Sequence, residues 1–251
     1  MKGKGLILGL TISSMLPFLV NAGEMPLNAE RRWNQRVQAG LIDYEYSLAG
    51  AEKLNAATSF AVDLPLQNQM SVALRSALES QHNWLQSLES AEFDLNVQAG
   101  GWLANETAMG YVRGLVDIAT EIKTDELASK LGFGIELGGA AKLPFGLVEL
   151  SADYTRMFLP GPADNAEIKA GIFLNEAEVK AGLETDLKGS LEYSLEGLWN
   201  HNGLALGFEI GNDYGAVLIG YDFNGLIMLG RASTSGEYGL ELRSSFDIKG
   251  N

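Results

Sequence analysis

The chain of 251 residues contains no cysteine. That excludes a disulfide framework and a thiolate metal site, so stability has to come from packing or from a closed hydrogen-bonded sheet. Histidine is almost missing as well, with His82 and His201 the only two. Imidazole catalysis therefore has two candidates. His201 lies in the turn-forming stretch Asn200-His201-Asn202-Gly203, and His82 lies in Ser80-Gln81-His82-Asn83-Trp84. Ser80 is close to His82 in sequence, but no nucleophile-elbow pattern surrounds it. Basic residues are scarce: 18 Lys and Arg stand against 32 Asp and Glu. This balance argues against nucleic acid or anionic headgroups as partners and is compatible with cations or neutral solutes.

Several sequence signatures are also missing. No phosphate loop or zinc spacing is present, the stretch GFGIELGG from Gly132 misplaces the third glycine of a dinucleotide fingerprint, and Asp222-Phe223-Asn224-Gly225 lacks the downstream ligands of a calcium loop. The carboxylates form no diagnostic catalytic pair, so the reading is of a non-enzymatic protein without cofactor or metal. Asn105-Glu106-Thr107 is a sequon, a triplet that arises often by chance. No linker, charge block or fixed-period repeat divides the chain after its N-terminus, which indicates one domain.

The N-terminus has the layout of a signal peptide. Lys2 and Lys4 precede an apolar run from Leu6 to Val20, and Val20-Asn21-Ala22 supplies the small residues a signal peptidase reads, with cleavage expected after Ala22. A retained membrane helix fits less well because the run is short and Pro17 interrupts it. Residues 1–22 are thus read as a cleaved signal peptide, 23–36 as a short charged segment with Asn28 as an N-cap, and 37–251 as the main domain.

From Val37 onward the apolar residues fall on every second position, the spacing of strands. Ile42, Tyr44, Tyr46 and Leu48 alternate with Asp43, Glu45 and Ser47. Phe93, Leu95 and Val97 alternate with Glu92, Asp94 and Asn96, and Val148, Leu150 and Ala152 with Glu149, Ser151 and Asp153. The phrase AEIKAG from Ala166 returns as AEVKAG eleven residues later, across Asn175-Glu176. Both copies alternate, so the echo is one hairpin, with Glu167, Lys169, Glu178 and Lys180 on one face, where cross-strand pairing of opposite charges would fix register. Met70 to Leu88 and Thr124 to Leu131 also fit helices, and counting the first as a strand gives about fourteen strands.

A soluble sandwich and a membrane barrel both alternate, but here the polar faces carry Glu, Asp and Lys with many glycines while the apolar faces carry Leu, Ile, Val and aromatics. Trp33 precedes the first strand, Trp84 lies in a loop, and Trp102 and Trp199 close strands, where an interfacial girdle would place them. The longest connections, Glu79 to Ser90, Ala119 to Ala128 and Met157 to Asn165, share one parity, although Gly100 to Ala108 breaks the trend. On these features the chain resembles a Gram-negative outer-membrane β-barrel, porin-like in general character, from about Val37 to Asn251. It differs from that pattern at its end, where Phe246 is followed by five more residues.

The resemblance implies an all-β, antiparallel up-and-down meander closed into a transmembrane barrel of about 12–14 strands. It also implies a cell-outer-membrane location with 23–36 as a periplasmic segment, and outer-membrane lipid and small hydrophilic solutes or cations as partners. The charges expected in the lumen are Asp43, Glu45, Arg75, Glu92, Asp94, Glu149, Asp153, Glu167, Lys169, Glu178, Lys180, Glu184 and Arg243. An acidic lumen of this kind would lean towards cations in passive passage. Two alternatives stay open: a soluble exported β-sandwich or small β-barrel that binds a ligand or partner, and a membrane barrel with a structural or lipid-hydrolase role. Oligomeric state is not specified by the sequence.

Overall fold

A computed structural model of the chain describes residue 33 and residues 41–50, 53–66, 69–83, 88–123, 126–159, 161–223 and 225–247. The alternating stretches become fourteen strands. They are β1 (Leu41–Gly50), β2 (Lys53–Pro65), β3 (Met70–Asn83), β4 (Leu88–Ala104), β5 (Ala108–Lys123), β6 (Glu126–Leu143) and β7 (Gly146–Leu159), then β8 (Ala163–Phe173), β9 (Ala177–Thr185), β10 (Leu191–His201), β11 (Leu204–Gly211), β12 (Gly215–Asp222), β13 (Leu226–Ser233) and β14 (Tyr238–Asp247). Each strand pairs antiparallel with its sequence neighbours, and β1 pairs with β14, so the sheet closes into a barrel. Closure gives every strand two hydrogen-bonded neighbours and leaves no edge to aggregate, which is how a cysteine-free chain secures its ends.

The start of β1 and the end of β14 lie at one end of the barrel, the terminal end, with the β2–β3, β4–β5, β6–β7, β8–β9, β10–β11 and β12–β13 connections. The turns there follow local chemistry. Asn202 and Gly203 adopt φ of 51° and 84°, the positive pair that a two-residue hairpin turn requires and that Asn-Gly supplies. Asn105 Oδ1 accepts the N–H of Thr107 at 2.9 Å and of Ala108 at 2.8 Å, so the sequon asparagine caps the β4–β5 turn. At the opposite, distal end, Asp186 Oδ1 accepts the backbone N–H groups of Lys188, Gly189 and Ser190. The N–H groups of Lys188 and Ser190 hold the Asp186 carboxyl below its usual value.

Two helix-compatible stretches are strand: Met70 to Leu88 supplies β3 and the start of β4, and Glu126 to Leu131 opens β6. The long connections expected at Glu79 to Ser90, Ala119 to Ala128 and Met157 to Asn165 are likewise mostly strand, as is Gly100 to Ala104. Near the strand ends both faces become polar, so the period-two signal fades while the backbone ladder continues, as in the pairing of Glu79 with Glu92. β4, β5 and β6 reach 17, 16 and 18 residues, beyond the ~9–11 that a tilted strand needs to span a bilayer. β11, β12 and β13 have only 8 each.

Alternation in exposure shows which face meets water. Ile135 is 45% exposed and Leu137 49%, while Glu136 between them is 1% exposed. A soluble sheet would bury the two apolar side chains and solvate the carboxylate. The inverted order recurs around the ring, for example at Val112, Ile118, Phe133, Leu150, Ile168 and Ile172, all exposed and outward. Closure of all fourteen strands into one ring overturns the sandwich alternative, and an outer surface this rich in apolar side chains favours lipid over water around it.

The repeated phrase forms the hairpin of β8 and β9, but its charges do not pair across it. Glu167 faces Glu184, Lys169 faces Gly182 and Lys180 faces Gly171. The lysines instead reach back along their own strands, Lys169 to Glu167 at 2.6 Å and Lys180 to Glu178 at 2.8 Å. Register is therefore held by inward–outward alternation and the short turn, in which Leu174 N–H bonds Ala177 O at 2.7 Å.

Candidate functional site: the barrel interior

The inward face is identified by ion pairs between strands that are not neighbours in the sheet, which meet across the interior. Arg113 of β5 donates to Ser71 Oγ of β3 at 2.9 Å and pairs with Asp63 of β2 at 2.7 Å. Its guanidinium also lies 4.4 Å from the centre of the Tyr111 ring. The Tyr111 hydroxyl donates to Glu136 Oε1 at 2.9 Å, and Arg75 of β3 lies 3.6 Å from the same oxygen. On the other wall Arg243 of β14 pairs with Glu196 of β10 and with Glu241 of its own strand, and lies 3.4 Å from Glu209 of β11. Arg231 of β13 shares Glu209 at 3.0 Å.

Several of the charged residues picked out by the alternation line cavities of the barrel. Glu45 and Glu92 line one interior cavity, Arg75, Glu149, Glu167, Lys169 and Lys180 line a second, and Glu184 lines a third. Glu178 is buried against Lys180, and Arg243 bridges the far wall. Asp43, Asp94 and Asp153 fall two or four residues from Glu45, Glu92 and Glu149 on their strands and so share their faces. Sequence reasoning passed over Asp63, Arg113, Glu136, Glu196, Glu209, Arg231 and Glu241, which organise the interior pairs. Strand alternation marks them equally, but only the register shows which distant strands they join.

The tryptophans do not form one girdle. Trp33 is 6% exposed and packs among Ala140, Leu147 and Phe173, with Met109 against the cluster. These are inward residues, so Trp33 is an interior residue and not an interfacial one. Trp102 stands opposite the inward Tyr111 and donates its indole N–H to Met70 O at 3.0 Å. That bond ties it to the inner rim and removes it from the lipid face. Trp199 is exposed on the outward face beside the terminal end, stacked on His201 at 5.6 Å. Trp84 lies outside the described residues. His201, the exposed last residue of β10, lies 3.0 Å from Glu176, and Ser80 donates to Ala56 O. The side chains of His82 and Phe246 lie outside the described residues.

No protein-family model and no curated protein matches the sequence. Solved structures do match. A mutant form of the Rhodopseudomonas blastica porin aligns over 83% of this chain and 99% of its own, at 10% identity and a TM-score of 0.38. CdiB from Acinetobacter baumannii aligns over 84% of this chain and 60% of its own, at 9% identity and a TM-score of 0.53, so the chain spans three-fifths of that protein. The likeness to CdiB shows the fold, a closed antiparallel β-barrel, here of fourteen strands.

Inside the barrel the chemistry changes along the axis. The distal half holds a cavity of about 650 Å³ whose lining carries seven glutamates and one basic residue, Arg231. Midway, a cavity of about 390 Å³ mixes Arg75, Lys169 and Lys180 with Glu149, Glu167 and Glu196. Towards the terminal end the inward side chains are buried, and apolar clusters stand beside polar pairs such as Arg113 with Asp63 and Asn200 with Asp222. Leu198, Ala205, Leu218, Ile227 and Leu229 form a fully buried cluster on β10 to β13, facing the Trp33 cluster on β5 to β8.

Proposed function

We propose that the protein sits in the cell outer membrane, reaching it by means of a cleaved N-terminal signal peptide, and gives passive passage to small hydrophilic solutes, favouring cations over anions. The observation that carries this reading is the distal cavity, where Glu45, Glu79, Glu92, Glu121, Glu209, Glu237 and Glu241 outnumber the cations that pair with them, Arg231 in the lining and Lys123, Lys130 and Arg243 beside it. Carboxylates around one water-accessible space raise the local concentration of cations and lower that of anions, the more so because the wall behind them is of low dielectric. The mixed belt below, with lysines and carboxylates alternating along β8 and β9, offers donors and acceptors to neutral polar solutes and carries no nucleophile–base arrangement. The barrel wall supplies the path and the charges supply the preference, with no covalent chemistry.

The reading is tested in planar bilayers under a potassium chloride gradient. A reversal potential of cation-selective sign is expected. A reversal potential of anion-selective sign, or the absence of conductance from correctly folded protein, sinks it.

A further inference from the structure

Trp33 precedes the first residue of β1, Leu41, by eight positions, yet its indole packs on the other side of the ring. Its neighbours Met109, Ala140, Leu147 and Phe173 come from β5, β6, β7 and β8. β8 is seven strands from β1 in a ring of fourteen, so this wall includes the point opposite β1. All four neighbours lie within a few residues of terminal-end connections. Met109, Ala140 and Phe173 also line the cavity of about 390 Å³. The indole thus packs on the terminal-end part of that cavity's lining. Across from it, Leu218 and Leu229 are 0% exposed, although they too point inward.

An open aqueous passage leaves inward side chains wet, as Glu45, Glu79 and Glu184 are at the distal end. At the terminal end the inward Leu147, Phe173, Leu218 and Leu229 are buried. An uncharged indole seated on Leu, Phe, Met and Ala is held by apolar burial, which persists at any salt concentration and at any charge state of the carboxylates above it. We propose that Trp33 is an intramolecular stopper, an autoinhibitory contact that closes the terminal end of the lumen, and that its withdrawal from the β5–β8 wall opens the passage. The proposal rests on the reading of the barrel as a passage.

The absence of cysteine allows a clean test. Ala140→Cys places one thiol beside the indole in the full-length chain, folded into phosphatidylcholine vesicles, with folding of each variant verified by a heat-dependent shift in gel mobility. A water-soluble methanethiosulfonate is expected to label this thiol roughly tenfold faster when Trp33→Ala is added, because access is then no longer limited by local opening. Trp33→Phe, which keeps an apolar ring, is expected to restore most of the protection. Planar-bilayer conductance is expected to rise several-fold in Trp33→Ala. Equal labelling with and without the indole overturns the stopper, and so does equal, non-zero conductance of the two proteins. Faster labelling with no conductance from either supports the stopper and sinks the passage reading instead.

Discussion

Arg113 shows what a charge costs and contributes inside this barrel. The residue is nearly devoid of solvent, touches Asp63 and Ser71 on two other strands, and lies over Tyr111, whose hydroxyl binds Glu136. A buried ion pair of this kind adds little net stability over a well-packed apolar pair, but removing one partner strands the other in low dielectric. Arg113→Met is therefore expected to lower unfolding stability by about 3 kcal/mol, at the low end of what breaking a buried pair costs. Arg156→Met, at an exposed contact 3.9 Å from Asp164, is expected to cost less than about 1 kcal/mol because solvent already screens that pair. Urea unfolding of the two variants in detergent, followed by tryptophan fluorescence, separates them. Equal losses would mean that Arg113 contributes no more than a surface contact.

At the scale of the strand, one alternation determines both pairing and orientation, so its two faces should respond oppositely to the same substitution. Leu137 points to lipid between Val112 and Ala152, and Leu137→Lys is expected to destabilise insertion by about 2–4 kcal/mol if it lies near the bilayer midplane. Ser151→Lys, on the inward face of β7 beside the mixed-charge cavity, is expected to cost less than about 1 kcal/mol, since charges are ordinary there. Folding yields into vesicles across a urea series measure both, and a reversed order would invert the assigned faces. Strand existence and facing were legible in the sequence because the period of two survives wherever one side meets lipid. Strand ends were not legible where both faces are polar, which is why β3, β5 and β7 run past their expected limits. The apolar inner wall was obscured for the complementary reason. Val217-Leu218-Ile219 and Leu226-Ile227-Met228-Leu229 are apolar on both faces, so they mark strands without revealing that Leu218, Ile227 and Leu229 fill the interior. Trp33 lies outside any strand, and nothing in its local sequence names the four strands it packs against.

For the whole molecule, the decisive quantity is the separation of the chemistries along the barrel axis: a carboxylate-rich distal cavity, a mixed belt, and a closely packed terminal end with apolar clusters. If the distal carboxylates set selectivity, their effect must depend on ionic strength, because the screening length falls from about 10 Å at 0.1 M to about 3 Å at 1 M. Glu45 and Glu79 line the large cavity, and both are among the more exposed inward groups, so neutralising them changes the field in the water with little disturbance of buried pairs. Glu45→Gln/Glu79→Gln is expected to bring the cation-to-anion permeability ratio at 0.1 M salt towards unity by roughly twofold, with wild type and variant converging at 1 M. Reversal potentials recorded across that salt range provide the measurement. A gap between the two proteins that persists unchanged at 1 M would place the selecting charges in a narrow, poorly screened part of the path, and the mixed belt of Arg75, Glu149 and Glu196 would then take the place of the distal cavity as the filter. No gap at any salt concentration would remove Glu45 and Glu79 from the selecting set altogether.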